Sequence, residues 1–388
     1  MKRVALVLLV AALHSTAGNL VDDGWDHFYN LEYDAAIADF QKAIAQDPNS
    51  PDLHNHLAEA LVFKEMYRNG ALESEMVAGN NSLLRRARLN PSPQTHAEFL
   101  AEISKALSLC DARLRQNPND AAALYAQGIA YGIRSDYFWV VEKSWYDSLR
   151  DATSARKAHN RLAELEPGNV DARLVQGLHD YILGSLPWQY RMLGFLVGFH
   201  GDKEKGIRIV QDVAQNGTRD KVDAEIFLCA LYRRENHPDR AVPIVQDLIR
   251  RFPRNYLLRL ELSVMYSMAG DKLHGMAAVE EAAHLKREGA AGFDRMPWEK
   301  IYYQEGSIQF WYRDEDQALE NFQKVAAGIE NVDLNTAAYT YLRIGQIYDM
   351  THRRAQAIEY YKKAIAFEPQ ADGAAQSRKF LSTPYNPR

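Results

Sequence analysis

A fixed order of small and bulky residues between positions 338 and 370 constrains this chain more than any other feature. Two antiparallel helices that cross closely need small side chains at the contact, and bulky neighbours three and four positions away fill the grooves beside it. Gly345 and Ala357 are the small pair, and Pro369 ends the second helix because proline lacks an N–H and clashes with the preceding turn. The full set, in chain order, is Tyr341, Gly345, Tyr348, Ala357, Tyr361, Ala364 and Pro369. The segment therefore predicts a helical hairpin.

The twelve-residue spacing between the small residues recurs along the chain. The further pairs are Gly24 with Ala36, Cys229 with Ala241, Ser263 with Gly275 and Gly306 with Ala318. X-Pro sequences at positions 47–48, 117–118, 166–167, 252–253 and 368–369 each close a predicted second helix. The pattern resembles the tetratricopeptide repeat, a helix–turn–helix unit of about 34 residues. The resemblance covers residues 20–48 and 222–369, and it implies an all-α, right-handed superhelical solenoid of antiparallel helix pairs.

Between residues 50 and 206 the pattern is stretched. Gly128 and Ala155 are 27 residues apart instead of twelve, so an irregular central helical insert is predicted. Apolar residues at helical spacing run through it from Tyr137 to Leu149. The run Leu193–Ile207 resembles a segment of tetratricopeptide proteins related to the yeast inclusion-body-clearance protein. The predicted organisation is a signal peptide at 1–17, N-terminal hairpins at 18–120, the irregular repeat with its insert at 121–206, a regular array at 207–371 and a tail at 372–388.

The first residues have the three parts of an export signal. Lys2 and Arg3 supply positive charge, residues 4–13 form an apolar core, and Ser15-Thr16-Ala17 is a small-residue cleavage site. The apolar core is too short for a stable transmembrane helix, which needs about 20 residues. We therefore predict cleavage after Ala17 and an exported protein, periplasmic or secreted. The alternative is a cytosolic protein in which these residues form only an amino-terminal helix.

The net charge argues against nucleic acid as a partner, and the cysteines leave open whether a disulfide forms. Loss of Lys2 and Arg3 changes the formal net charge from −5 to −7, and such a mildly acidic protein is unsuited to binding nucleic acid. The sequence contains two cysteines, Cys110 and Cys229. They can form a bridge in an oxidising compartment, but both occupy packing positions, where a free thiol behaves as a small apolar side chain. Free buried thiols are the favoured prediction.

The sequence contains no common motif for catalysis, metal binding or cofactor binding. The Gly-x-Ser-x-Gly elbow, the phosphate loop ending in Gly-Lys-Ser and the His-Glu-x-x-His zinc helix are absent. His54 and His56 lie two positions apart, on opposed sides of a helix, and are therefore badly placed to share a metal ion. We predict no catalytic residues, no metal and no cofactor.

The family resemblance supplies candidate binding residues. In tetratricopeptide arrays the first helix of each hairpin lines a concave groove, so groove positions transfer to this chain where the register is clear. They are Phe227, Arg233 and Arg234; Leu260, Val264 and Met268; Tyr303, Gln304, Ser307, Phe310 and Trp311; and Tyr339, Arg343, Gln346 and Met350. Aromatic, arginine and methionine side chains are the types that carry most of the energy at protein interfaces. For the aromatic residues the alternative role, packing between neighbouring hairpins, stays open. The lysine and asparagine of the carboxylate clamp in chaperone-binding members are not present at the corresponding positions.

The aromatic residues of the insert form a second candidate surface. They are Trp139, Trp145, Trp188, Tyr190, Phe195 and Phe199. Aromatic rings that flank an apolar run are typical of a membrane interface, but Pro187 and Arg191 interrupt this run. Packing in the core is the favoured prediction for these rings.

The leading functional hypothesis is an exported, non-enzymatic adaptor that binds a segment of a protein or peptide partner in its groove. Arg343, Arg233 or Arg234 would attract acidic groups of that partner. A second hypothesis is a factor for assembly or export of an envelope polymer, polysaccharide or outer-membrane, with a glycan as partner because aromatic rings also stack on sugars. An unrecognised enzyme is a third, less favoured class.

Overall fold

All regular structure described in this chain is helical, which confirms the predicted all-α class. A computed structural model describes residues 19–70, 72, 91–186, 188 and 201–387. The helices are α1 (residues 19–29), α2 (Tyr33–Gln46), α3 (Pro51–Arg68), α4 (Pro93–Gln116), α5 (Ala121–Tyr137), α6 (Trp145–Leu165), α7 (Leu174–Gly184), α8 (Lys203–Asn216), α9 (Lys221–Arg234), α10 (Pro238–Arg251), α11 (Tyr256–Met268), α12 (Lys272–Arg287), α13 (Trp298–Trp311), α14 (Glu315–Ala327), α15 (Leu334–Met350), α16 (Arg354–Phe367) and α17 (Asp372–Ser382). Single turns of 3₁₀-helix cover Asp171–Arg173 and Ile329–Asn331.

Two of the sequence predictions concern residues outside the described part of the chain. The predicted signal peptide, residues 1–17, is one of them. Most of the segment Leu193–Ile207 is the other, because residues 189–200 are not among those described. The same holds for Tyr190, Phe195 and Phe199 of the aromatic insert.

The described residues divide into two compact units. The first contains those numbered up to 65 and from 91 to 231, and the second contains residues 66–70, 72 and 232–387. In the first unit α5 packs against α4 and α6, and α7 packs against α8. In the second unit each helix from α10 to α17 packs against the next one along the chain, so this part is a regular series of antiparallel pairs. The boundaries at 120 and 206 that the repeat spacing predicts stay predictions.

Close helix crossings occur where the sequence places its small residues. A Cβ added to Gly345 would lie 2.6 Å from Cε1 of Tyr361 and 3.2 Å from the carbonyl oxygen of Ala357. Gly24 meets the ring of Phe40 in the same way at 2.5 Å, and Gly306 meets the ring of Phe322 at 3.2 Å. In each case the aromatic ring belongs to the residue sixteen positions after the glycine. The small residue therefore leaves room for an aromatic ring of the second helix, and at Gly345 the predicted contact with Ala357 is confirmed.

The central insert takes the form of a long hairpin made by α5 and α6. A Cβ on Gly128 would lie 1.8 Å from Cδ2 of His159, so a buried imidazole occupies the position that an aromatic ring holds in the regular hairpins. After α5 the chain makes a π-helical turn, Phe138–Glu142, and then Lys143 adopts a left-handed conformation with φ 57°. A new helix starts at Trp145. The added residues lengthen the two helices between Gly128 and His159, which explains the stretched spacing.

X-Pro sequences determine where the second helices end, and residues with positive φ form the turns before these helices. The helices α2, α4, α6, α10 and α16 each end one residue before an X-Pro sequence, because the residue before proline is disfavoured in the helical conformation. The turns between paired helices contain a residue with positive φ seven positions after the small residue. These are Leu31 (62°), Asn236 (60°), Gly270 (85°), Arg313 (68°) and His352 (59°). The next residue donates its N–H back into the helix, as Arg353 does to the Tyr348 carbonyl at 2.7 Å, which is the Schellman arrangement.

The structure corrects the prediction of core packing for two aromatic side chains of the insert, Trp145 and Trp188. Trp145 is 65% exposed and Trp188 is 64% exposed, whereas Tyr137 and Val141 are buried. The prediction assumed one helix from Tyr137 to Leu149, but the left-handed residue Lys143 ends that helix. The helical phase therefore does not continue across the break, and Trp145 lies on an exposed side of α6.

The C-terminal segment contains one further helix. Residues 372–382 form α17, which packs against α15 and α16. Residues 384–387 have no helix, as Pro384 and Pro387 predict. Tyr385 is nevertheless fixed, because its backbone N–H donates to Oδ2 of Asp349 at 2.8 Å. That carboxylate also pairs with Arg354 at 3.0 Å.

The two cysteines are buried free thiols, which confirms the favoured prediction. Burial raises the pKa of the Cys110 thiol to about 12, so this side chain is unreactive in the folded protein. Among the described helices, none combines the length and the apolar character that crossing a bilayer requires.

Replacing Gly345 by alanine should lower the free energy of unfolding by about 1–3 kcal/mol, because the new methyl group would overlap the ring of Tyr361. Gly132 in α5 is the matched control, because no described neighbour lies within 4 Å of the Cβ that alanine would add there. Alanine at position 132 should raise the free energy of unfolding by roughly 0.5–1 kcal/mol through its better helix propensity. Urea denaturation of both variants provides the measurement. A shift in the same direction for both would contradict the role of Gly345 as a contact position.

Candidate partner-binding site

Arg343 lies at the centre of an aromatic cluster between α13 and α15 of the second unit. Its guanidinium carbon is 4.5 Å from the ring centroid of Phe310, 4.8 Å from that of Trp311 and 5.8 Å from that of Tyr339. Its Nη1 donates a hydrogen bond to Oε1 of Gln346 at 2.8 Å. We call Arg343, Phe310, Trp311, Tyr339 and Gln346 the arginine–aromatic cluster. The cluster forms because Phe310 and Trp311 end α13 while Tyr339, Arg343 and Gln346 lie on successive turns of α15.

The charge of Arg343 has no carboxylate partner among the described residues. Burial lowers the pKa of its guanidinium, while the nearby Tyr303, Tyr339 and Tyr385 hydroxyl groups act in the opposite direction. Arginine stays protonated in proteins and has five N–H donors, so most donors of Arg343 are available to a ligand. A half-buried, unpaired arginine beside three aromatic rings is suited to a carboxylate, which it can bind through two parallel hydrogen bonds.

The members of the cluster differ in their access to solvent. Trp311 is 63% exposed, and Arg343 and Tyr339 are half-buried. Phe310 is 3% exposed and belongs to the hydrophobic core around Phe322 and Tyr361, and Gln346 is 2% exposed. Phe310 and Gln346 therefore contact Arg343 on its buried side. Trp311 and Tyr339 are the rings that remain accessible to a partner.

The other candidate binding residues of the second unit lie outside the arginine–aromatic cluster. Tyr303 is half-buried on α13, where its ring contacts Phe322 at 5.9 Å, and burial raises its pKa to about 12. The nearby charge of Arg343 partly offsets this rise in the pKa of Tyr303. Gln304 is half-buried on the same helix, and Met268 is 41% exposed at the end of α11.

The two arginines of α9 differ from Arg343 in their surroundings. Arg233 forms an ion pair with Glu261 at 2.9 Å, so its charge is already compensated. Arg234 is exposed. Phe227, on the same helix, belongs to the first unit. Of the three arginines that the repeat register selects, Arg343 is the one best placed to bind an acidic group.

Tyr385 is a residue of this site that the sequence did not indicate. Its ring stacks beside Phe310 with centroids 6.3 Å apart and an interplanar angle of 29°. It reaches the cluster because the segment after α17 returns to Asp349 on α15. No repeat marker lies in that segment, so the sequence pattern contains no signal for this contact.

The described residues contain no group of three or more His, Cys, Asp or Glu side chains that could hold a metal ion. His54 and His56 are separated as the helical spacing predicts. His54 hydrogen-bonds Glu102 at 2.5 Å, and the ring of His56 packs against Trp25 with centroids 4.9 Å apart.

Comparison with protein families agrees with the repeat architecture. The model described as "TPR repeat" matches residues 31–62, and the model described as "Tetratricopeptide repeat" matches residues 338–370. The second match covers most of α15 and all of α16, and therefore part of the arginine–aromatic cluster. Each of the two units therefore contains one segment that is similar to a tetratricopeptide repeat. No curated protein sequence matches it.

Solved structures with a similar fold are distant in sequence. A tetratricopeptide repeat protein from Parabacteroides merdae is 14% identical with a TM-score of 0.30, and the match covers 81% of this chain and 93% of that one. Yeast Tom70 is 12% identical with a TM-score of 0.41 and 95% coverage of both chains. The human IFIT1 dimer with m7Gppp-AAAA is 14% identical with a TM-score of 0.46, covering 95% of this chain and 87% of that one. Similarity at this level leaves the function to be argued from the contacts of this chain.

Replacing Arg343 by methionine should change the free energy of unfolding by no more than about 1 kcal/mol, because the lost cation–π contacts are offset by removal of an unpaired, partly desolvated charge. Arg354 on α16 is the matched control. It pairs with Asp349, whose side chain is 1% exposed, so Arg354→Met leaves a buried carboxylate uncompensated and should cost about 3–5 kcal/mol. Urea denaturation measures both. Equal destabilisation by the two changes would make Arg343 a structural residue.

Proposed function

We propose that this chain is an exported, non-enzymatic scaffold that binds a segment of a protein partner at the arginine–aromatic cluster of its second unit. The repeat family supports a role in protein interaction. The observation that carries the proposal is the unpaired guanidinium of Arg343 beside the exposed ring of Trp311. The partner would place a carboxylate on Arg343 and an apolar side chain against Trp311.

The energetics favour this pair of contacts as the centre of a binding site. A hydrogen bond to a charged group contributes about 1.5–3 kcal/mol, and tryptophan, tyrosine and arginine are enriched among the residues that dominate interfaces. Arg343 is already held in place by Phe310 and Gln346. Little side-chain freedom remains to be lost when a partner binds, so the site is preorganised.

A photo-crosslinking amino acid, p-benzoylphenylalanine, at position 311 should capture a discrete partner protein in cells of the native organism. The same amino acid in place of Leu273, which is 77% exposed on α12, is the control and should not capture that partner. Adding Arg343→Met to the position-311 probe should reduce the crosslinked product at least about tenfold, as the loss of a charge-assisted hydrogen bond implies. Mass spectrometry of the captured band identifies the partner. Equal capture with and without Arg343 would contradict the proposed site.

Export is the second part of the proposal, and the charge, apolar core and cleavage site of residues 1–17 support it. Protein collected from the periplasm or the medium of the native organism should begin at Gly18. Intact-mass measurement of the purified protein tests this directly. Recovery of a chain that still carries Met1 would argue against cleavage after Ala17.

A further inference from the structure

Two arginines in hairpin turns of the second unit are connected to the arginine–aromatic cluster by direct contacts. Arg313 lies two residues after Trp311, in the turn between α13 and α14. Its Nη1 is 3.1 Å from Sδ of Met350, the last residue of α15. Arg353 lies three residues after Met350 and immediately precedes α16. The turn of one hairpin therefore touches the end of the first helix in the next hairpin.

These contacts form a continuous series in which arginines alternate with apolar side chains. The series starts at Arg343, whose guanidinium carbon is 4.8 Å from the ring centroid of Trp311. It continues through the turn to Arg313, across to Met350 and through the next turn to Arg353. We call Arg343, Trp311, Arg313, Met350 and Arg353 the arginine row. All five residues belong to the second unit.

The arginine row is accessible along its length. Trp311 is 63% exposed, and the side chain of Arg313 is 48% exposed. Arg353 is exposed, and Arg343 and Met350 are half-buried. A partner can therefore contact every member of the row.

Most of the positive charge of the row is uncompensated. Within the described part of the chain, neither Arg343 nor Arg353 has a carboxylate oxygen at ion-pair distance. Arg313 approaches Oε1 of Glu315 at 4.0 Å, which is the outer limit for an ion pair. Such a loose pair at the surface contributes little, so Arg313 is also available to a ligand.

Two further carboxylates near the row pair with other cations. Asp314, next to Arg313 in the sequence, pairs with Lys272. Asp349, next to Met350, pairs with Arg354 at 3.0 Å, and its side chain is 1% exposed. These acidic groups therefore do not neutralise the arginine row.

The side chain of Arg353 is held in place much as Arg343 is. Its guanidinium carbon lies 4.5 Å from the ring centroid of Tyr348, and its Nε donates to Oγ1 of Thr351 at 2.9 Å. Its terminal amino groups have no other partner among the described residues. Arginine has five N–H donors and no acceptor, so both side chains present preorganised donors to an anion.

We propose that the arginine row binds an acidic peptide segment of the partner, in which carboxylate side chains alternate with apolar ones. This inference rests on the proposed function and specifies the chemistry of its partner. Carboxylates would pair with the three arginines through charge-assisted hydrogen bonds. The apolar side chains of the segment would pack on Trp311 and on Met350, whose flexible thioether adapts to different shapes.

A single-stranded nucleic acid is the other polyanion that binds to arginine and aromatic side chains. Domains that bind nucleic acid carry a surplus of positive charge over a large surface, whereas this chain has a formal net charge of −5. The positive charge of the arginine row is local, and apolar Met350 separates two of its arginines. These observations favour a peptide.

Fluorescence anisotropy with the full chain and a fluorescein-labelled peptide, Glu-Leu-Glu-Leu-Glu-Leu, tests the proposal. The double variant Arg313→Gln, Arg353→Gln should weaken binding at least about tenfold, because it removes charge-assisted hydrogen bonds to the peptide. Both side chains are exposed, so this variant should melt as the wild type does. Failure of the wild type to bind the peptide, or unchanged binding by the double variant, would overturn the proposal.

The matched control is the double variant Arg250→Gln, Arg287→Gln at the carboxyl ends of α10 and α12. It removes the same number of positive charges from the same unit, at side chains that are 70% and 50% exposed and that pair with Asp247 and Glu280. The dissociation constant should stay within about twofold of the wild-type value, because distant exposed charges are screened. Equal weakening by both double variants would show a general effect of net charge and overturn the proposal.

The salt dependence of binding provides a second readout. Peptide binding to the wild type should weaken as the salt concentration rises from about 50 mM to about 300 mM, because exposed ion pairs are screened. The Arg313→Gln, Arg353→Gln variant should show a smaller dependence, since fewer ion pairs remain. An equal dependence in both proteins would contradict ion pairing by these two arginines.

Two competitors test the class of ligand. Hexaglutamate should displace the labelled peptide at least about fivefold less well than the unlabelled peptide does, because it has no apolar side chains to bury on Trp311 and Met350. Equal displacement would overturn the alternating pattern. Stronger displacement by a single-stranded decamer of deoxythymidine would assign the arginine row to nucleic acid and overturn the peptide proposal.

The crosslinking probe at position 311 separates failure of this inference from failure of the proposed function. Capture of a partner that depends on Arg343 but not on Arg313 and Arg353 would retain the proposed function and overturn the arginine row. Peptide binding that depends on all three arginines, without any captured partner, would overturn the proposed function alone.

Discussion

The contact between a residue without a large side chain and an aromatic ring sixteen positions later is the interaction on which the fold depends. Gly24 with Phe40, Gly306 with Phe322 and Gly345 with Tyr361 make it in hairpins that are far apart in sequence. The ring can enter the crossing only because the facing position has no Cβ, so the two helices approach closely. Each hairpin then buries its remaining apolar side against its neighbours, as solenoid repeats do. Groove residues, turns and helix ends all take their positions from this crossing.

Much of this architecture could be predicted from the sequence, because the determinants are local. The small-residue spacing located the hairpins, and the X-Pro sequences located the ends of five second helices to within one residue. The stretched hairpin was less predictable, since His159 takes the place of an aromatic ring and Lys143 adopts a left-handed conformation that lysine seldom favours. The conformational preference of lysine does not predict this left-handed residue. Helical spacing carried past it therefore placed Trp145 wrongly in the core.

The grouping of the candidate binding residues was only partly predictable, because it depends on contacts between helices that are distant in the sequence. The repeat register chose Arg343 and its aromatic neighbours correctly as a spatial group, but it could not tell the buried Phe310 from the exposed Trp311. It also gave equal standing to Arg233, whose charge is compensated by Glu261 on another helix.

The left-handed residues in the hairpin turns have a consequence for how such a chain can change in length. Leu31, Arg313 and His352 occupy this conformation although none is glycine, and each lies seven positions after the small residue of its own hairpin. The residues that determine the turn of a hairpin thus lie within that hairpin. Duplication or loss of a whole unit leaves the folding rules of the others intact, while any shift inside a unit separates turn from crossing. Gain of whole units can therefore lengthen such a chain without a change in the hairpins that it already has.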